Sequence, residues 1–410
     1  MGRSDHPGSP RRNRGAVWLW VLVIALFLGA LTAYFVFRDQ NRIRQEEGER
    51  IRRGSGHVAL ERGDAGRTGN FKTQGLEQLK GELWTFLPEY PIYASPVVMD
   101  GTLYVGDAYP VPSVDGTWAH LYALDCRTGS LKWKYRKAGA FFSAPAVSEE
   151  VLCCAGAGGL VALSRRDGTP KWEFRTKGWV STSPAILDAT VFFGTSEGMV
   201  YALDLATGEP KWNSELGPHL QSSPALSGGR LYIGCHDYLY SLDQGSGKAL
   251  WRFKTGEPLT STPAIGGGNV HLAGSDQILY ALDAPTGKTV WTFKARGSLI
   301  ASPALTPDLV LVGTYAKAPS SQGTLHAIDR ATGLERWRFL THGSIESSPV
   351  IAGETVYVGS QFGGLYAIDL KTGKERWNFA APQIIRADPA VADGIVFVTS
   401  NYRGPIYALH

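Results

Sequence analysis

A tryptophan returns about every forty residues along most of this chain. Trp84, Trp133, Trp172, Trp212, Trp251, Trp291, Trp337 and Trp377 stand at spacings of 49, 39, 40, 39, 40, 46 and 40. The phrase before each is nearly constant: YALDLATGEPKW at Tyr201–Trp212 returns as LYALDCRTGSLKW, YALDAPTGKTVW, HAIDRATGLERW and YAIDLKTGKERW. A second mark, a proline followed by Ala or Val, recurs at one place in each of eight units, at Pro96, Pro145, Pro184, Pro224, Pro263, Pro303, Pro349 and Pro389. A period of this length marks a fold built by stacking one supersecondary unit. Short apolar runs bounded by turn residues read as strands. Asp-x-x-Thr-Gly between two of them reads as a tight turn, with polar side chains bonding the backbone and Gly at positive φ. Four strands per unit make a propeller blade, and each tryptophan is expected as a large buried wedge between neighbouring sheets.

The ends of the repeat predict how the ring closes. The last unit stops at Ile406–His410 with no tryptophan strand after it, while the first tryptophan strand, Gly81–Phe86, has no unit before it. The N-terminal strand is therefore expected to complete the last blade, removing the free edges of an open array. The fold class is all-β, an eight-bladed β-propeller over residues 62–410.

The A-x-D-x-x-T-G-x-x-x-W phrase resembles the tryptophan-docking motif of the quinoprotein (PQQ-like) repeat family. Arg62–Asn70, RGDAGRTGN, resembles the lead-in that precedes such propellers. The family includes dehydrogenases, outer-membrane assembly propellers of the BamB-like kind, and sensor domains, so the resemblance implies a fold more than an activity. In its dehydrogenases, long insertions wall the PQQ cofactor, a calcium ion sits beside it, and adjacent cysteines close a ring nearby.

Ahead of the repeat, Ala16–Phe37 contains no charge. As a helix it is about 33 Å long, enough to cross a bilayer, and Trp18, Trp20 and Tyr34 sit near its ends, where amphipathic rings favour the interface. The expected organisation is a basic tail over 1–15, a transmembrane anchor over 16–37 and a polar stalk over 38–61. Residues 1–56 hold ten Arg and five acidic residues; the rest of the chain holds 31 basic and 32 acidic ones. A near-neutral folded part lacks the basic face of a nucleic-acid binder. Arginines flank the span on both sides, so charge bias alone does not orient it.

Candidate chemistry is sparse. Cys126, Cys153, Cys154 and Cys235 are too few for a disulfide scaffold. Laying VLCCAGAGGLVAL over VFFGTSEGMVYAL puts Cys153 on Phe193 and Cys154 on Gly194. Adjacent strand residues face opposite ways, which disfavours bridging them. Most spacings leave no room for cofactor walls, and no Asp-rich calcium loop is visible. No cofactor and no catalytic or metal-binding residues are assigned.

The repeat supplies an internal control, because residues that vary within a fixed frame are free of the fold's demands. Three before each proline stand Tyr93, Phe142, Ser181, Gln221, Thr260, Ile300, Glu346 and Arg386, expected to ring one mouth of the central shaft. Glu346 and Arg386 fall on neighbouring blades and are placed to pair, and Asp388 departs from its Ser, Thr or Ala counterparts. Two insertions, Asp107–His120 with Tyr109 and Trp118, and Thr314–Thr324 with Tyr315 and Lys317, should share that face with His236–Asp237–Tyr238, Gln361–Phe362 and Tyr402–Arg403. Exposed aromatics with arginine are the usual ingredients of a protein interface. The surface expected from this is Tyr109, Trp118, Tyr315, Glu346, Phe362, Arg386, Tyr402 and Arg403. The expected function is a non-catalytic scaffold or adaptor, monomeric within a complex of envelope proteins. It is held in the inner membrane by one span, with the propeller on the periplasmic side. A PQQ- and calcium-dependent dehydrogenase and an extracytoplasmic ligand sensor are the alternatives.

Overall fold

The computed structural model describes residues 45, 58–108, 118–156, 158–316, 322–401 and 404–410. The chain divides into residues 1–50, of which Gln45 alone is described, and residues 51–410. Among the described residues no helix is long and apolar enough to cross a membrane. The expected span 16–37 lies outside them, as do Tyr109, Lys317, Tyr402 and Arg403.

Eight antiparallel sheets form, each with four blade strands in meander order. Blade 3 is typical: Ala185–Leu187 innermost, then Thr190–Gly194, Met199–Asp204 and Pro210–Glu215 outermost. Innermost strands of neighbouring blades touch around the shaft. Blade 8 closes as the ends of the repeat predict. Glu82–Phe86 pairs with Ile406–Leu409, and His410 accepts from the Lys80 N–H at 2.6 Å and donates to the Gly81 carbonyl at 3.0 Å.

The repeated phrase explains itself in blade 3. Asp204 Oδ1 accepts the N–H groups of Ala206 and Thr207 at 3.0 and 3.1 Å. Gly208 takes φ +75°, and a Cβ there would stand 2.7 Å from the Trp172 ring of the preceding blade. The turn thus needs glycine twice over, for its dihedral and for its neighbour. Each of the eight tryptophans donates its indole N–H, at 2.8–3.0 Å, to a carbonyl beyond its own blade; Trp172 reaches Leu205 and Trp377 reaches Leu76. The buried-wedge expectation is corrected in one respect. Only Trp377 is buried; the other seven are half-buried, because they ride the outermost strand with one ring face toward solvent.

Behind six of these rings lies a second-strand aromatic: Phe397, Tyr104, Phe192, Tyr232, His271 or Tyr357, at 5.7–5.9 Å between centroids. Cys153 occupies this slot in blade 2. It pairs with Ala146 and Ala162, as Phe192 pairs with Ala185 and Ala202. The expected alignment was therefore one residue off, since the blade 2 hairpin is one residue shorter: Cys153 matches Phe192 and Cys154 matches Phe193. The two thiols are free, buried, and in separate core clusters on opposite faces of their sheet. Burial pushes both above the ordinary thiol range, Cys154 to about 12. They serve as small core residues.

Candidate functional site at the mouth of the shaft

The innermost strands run from one end of the shaft to the other, and the two ends differ. In a two-residue hairpin the pairs alternate, so the residue two after each proline turns its N–H and C=O away from its partner strand and toward the shaft. At one end, the floor, the stretch that resembled a lead-in crosses the shaft and meets these groups. The carbonyls of Ala65, Gly66, Thr68 and Gly69 accept the N–H groups of Leu226, Ile265, Leu305 and Ile351, in blades 4 to 7, at 2.7–2.8 Å. Val58–Ala59 adds antiparallel to Val147–Ser148 of blade 2, and Asn70–Phe71 adds parallel to Ile351–Ala352 of blade 7.

Two arginines fill the centre of this floor. Arg67, 0 % exposed, donates to the carbonyls of Ser183, Pro184, Pro224 and Glu61 at 2.9–3.2 Å, with the Glu61 carboxylate 3.6 Å away. Arg62, 2 % exposed, reaches the Pro303 carbonyl at 2.5 Å and Asp388 at 3.3 Å. Burial lowers the pKa of both guanidiniums and raises that of the Asp388 carboxyl against the pull of Arg62. A buried cation is tolerable only when its donors are used, and here they are.

Just inside the mouth a second ring holds the blades together. The backbone N–H before each proline donates to the side chain at the same place in the next blade, at 2.6–3.2 Å: Ala144 to Ser183, then Ser223, Thr262, Ser302, Ser348, Asp388 and back to Ser95. Asp388 departs from its counterparts because it serves this ring and Arg62 at once. The circle breaks only between blades 1 and 2, where Ala144 has no hydroxyl to offer Ser95.

The 2–3 and 4–1 loops share the mouth. Bridges join Val180 to Thr195, Leu220 to Cys235 and Ser298 to Tyr315. Arg386 Nε lies 2.8 Å from Glu346 Oε2, and Gln361 donates to the other oxygen of that carboxylate. Across blades 1 to 3 the rim is aromatic. Tyr93 and Phe142 meet edge to face at 5.8 Å, and Phe142 stacks on Trp179 at 6.2 Å with 11° between planes. Trp118 begins the third strand of blade 1, with the Arg136 guanidinium 3.9 Å above its ring. The foot of that hairpin is pinned by buried Asp107, which accepts from the His120 N–H at 2.6 Å and the Tyr122 hydroxyl at 2.8 Å. Desolvation raises the Asp107 carboxyl above its ordinary range.

Of the eight expected interface residues, Trp118, Tyr315, Glu346, Phe362 and Arg386 are described, and all lie on the mouth side; Glu346 and Arg386 are brought together. Reading the sequence missed Trp179 and undervalued Phe142. A signal existed for the first. Of twelve tryptophans, eight keep the repeat, Trp18 and Trp20 lie in the apolar run, Trp118 lies in an insertion, and Trp179 is left unexplained. It is 49 % exposed, beside Phe142 at 39 %. Among the described residues, four aromatics are exposed, Trp118, Phe142, Trp179 and Phe362, and every one stands at the mouth.

The comparisons with known proteins agree with this architecture. A family model described as outer membrane protein assembly factor BamB matches residues 75–219, 196–338 and 321–409. No match was found among curated protein sequences. Among solved structures, quinohemoprotein alcohol dehydrogenase from Comamonas testosteroni is similar with a TM-score of 0.73 at 16 % identity, over 85 % of this chain and 80 % of that one. BamB from Moraxella catarrhalis is similar with a TM-score of 0.65 at 18 % identity, over 80 % and 97 %. Quinohemoprotein alcohol dehydrogenase ADHIIG from Pseudomonas putida HK5 gives 0.69 at 15 %, over 88 % and 80 %. At these identities the structural likeness speaks for the fold, and the family match covers nearly all of the repeat: the chain belongs to the BamB-like family of PQQ-repeat β-propellers.

Proposed function

We propose that this protein is an adaptor of the cell envelope that docks a partner protein on the mouth face of its propeller. The observation that carries the reading is the segregation of exposed aromatic side chains to that face, with Arg136 and Arg386 among them. Exposed Trp, Tyr and Phe beside Arg are the residues that supply most of the binding energy in protein interfaces. The apolar run 16–37 tethers the chain to the inner membrane, with the propeller on the periplasmic side. Gentle detergent extraction of the full-length protein, carrying Trp179→Ala, Trp118→Ala or Arg386→Glu, tests this by what co-purifies. Envelope proteins recovered with the wild type and lost with these variants support it; equal recovery with all three variants defeats the chosen surface.

A PQQ- and calcium-dependent dehydrogenase is the enzymatic alternative, and the adaptor reading is preferred to it on the chemistry of the described residues. A polycarboxylate quinone needs uncommitted cations, and a calcium ion needs converging oxygen ligands. Arg62 and Arg67 are committed to the floor, Arg386 faces the Glu346 carboxylate, and Arg136 lies over the Trp118 ring. Among the described residues no three metal-ligating side chains converge. Cys153 and Cys154 point to opposite faces.

A further inference from the structure

The floor segment leaves a gap. It meets blades 4 to 7 with carbonyls, blade 3 with Arg67, blade 2 with Val58–Ala59 and blade 8 through Arg62 on Asp388 and Thr73 Oγ1, which accepts the Asp393 N–H at 3.2 Å, but between blades 8 and 1 a cavity of about 670 Å³ remains. Val98 and Val391 line it. They are the counterparts of Leu226, Ile265, Leu305 and Ile351, so they present to the cavity the same backbone N–H that the floor segment captures elsewhere. The cavity ends at Val58 on one side and Phe71 on the other, so it continues an interface built from main-chain hydrogen bonds. Its walls are apolar at Leu60, Met99 and Phe71 and acidic at Asp64, Asp100 and Asp393, against Lys72 alone. Asp64 caps Thr68 and Asp100 holds Arg165 at 2.7 Å. Asp393 sits exposed at the lip with φ +50°.

We propose that this floor cavity binds an extended segment of a partner protein. Its carbonyls take the N–H groups of Val98 and Val391, as the chain's own carbonyls do in blades 4 to 7, and one basic side chain meets Asp393. A small anion is disfavoured by the three carboxylates, and a folded surface does not reach backbone groups at this depth. The site is separate from the mouth and independent of its role.

The test uses the intact chain in detergent and two fluorescein-labelled peptides, Gly-Val-Arg-Val-Gly and Gly-Val-Glu-Val-Gly, followed by anisotropy. The arginine peptide should bind saturably and the glutamate peptide roughly tenfold more weakly, the scale of a charge-assisted hydrogen bond. Asp393→Asn keeps a residue that tolerates the left-handed turn and should weaken the arginine peptide by a similar factor; Asp393→Lys should weaken it further, and Trp179→Ala should leave it unchanged. No saturable binding, equal binding of the two peptides, or binding indifferent to both Asp393 variants overturns the proposal. A disulfide formed in the intact chain between cysteines placed by Arg52→Cys and Asp393→Cys, with no peptide bound, assigns the cavity to the chain's own stalk and overturns it equally.

Discussion

The two ends of the shaft are made from the same eight strands, yet they are chemically opposite. At the floor many polar groups offered by the repeat are met: four backbone N–H groups by carbonyls, three carbonyls by Arg67, and a carbonyl and a carboxylate by Arg62. At the mouth Phe142 stacks on Trp179 and meets Tyr93 by its edge, yet both Phe142 and Trp179 stay exposed. Repetition alone would make both ends alike. The difference comes from one non-repeated segment, residues 58–71, spent entirely on one end. A propeller in which a single short stretch settles the floor leaves its other face free to vary with the partner it meets.

The largest test of this contrast removes the floor's centre. Arg67→Ala should cost roughly 3–5 kcal/mol, because four buried carbonyls and Glu61 lose their partner at once. Denaturant unfolding measures it, and a cost under about 1 kcal/mol would reduce the floor to a cover. The matching experiment at the mouth is Phe142→Ala with Trp179→Ala. It should lower partner affinity by about 2 kcal/mol or more while shifting the unfolding midpoint little. A large loss of stability there would make the aromatic rim structural and erase the contrast.

A buried group between the two ends sharpens the accounting. His271 fills an aromatic slot, and burial with nearby Arg330 lowers its pKa to about 3. A base depressed in the folded state contributes stability that is whole above its unfolded pKa, near 6.5, and lost as pH falls toward about 3. His271→Phe, which restores the residue type of Phe192 and Phe397, should therefore be more stable than wild type by roughly 2 kcal/mol at pH 4.5, with a smaller difference at pH 7. Thermal unfolding at both pH values checks this. The smallest effect is at the gap in the hydroxyl ring. Ala144→Ser gives Ser95 the acceptor that the other seven positions have and should add about 0.5–1 kcal/mol; no gain would mean that a solvent molecule already fills the gap.

The repeated frame was legible because it is local. Asp204, Gly208 and Trp212 act on neighbours a few residues away or in the next copy of the same phrase, so periodicity exposes them. Seam closure was legible by counting strands. Arg62 and Arg67 occur once, and their partners at Ser183, Pro224, Pro303 and Asp388 are far off in sequence, so no pattern announced them as the floor. Cys153 was misaligned because hairpin length changed by one residue while the apolar character of the strand did not. Trp179 escaped because the position five before the proline holds Pro, Ala, Trp, His, Ser or Ile in different blades, so that its standing outside the eight repeat tryptophans was the one sequence sign of it.

The seam in blade 8 also orders events in time. Glu82 and Leu409 stand opposite each other with nearly the whole described chain between them. The first tryptophan strand therefore waits, edge unsatisfied, until the strand Ile406–Leu409 is made. Pairing at such separation is slow to form, and an unpaired edge held open meanwhile invites wrong partners. The ring is in this sense a clasp that Ile406–Leu409 alone fastens among the described residues, so changes there should act on the yield of folded protein before they act on anything it does.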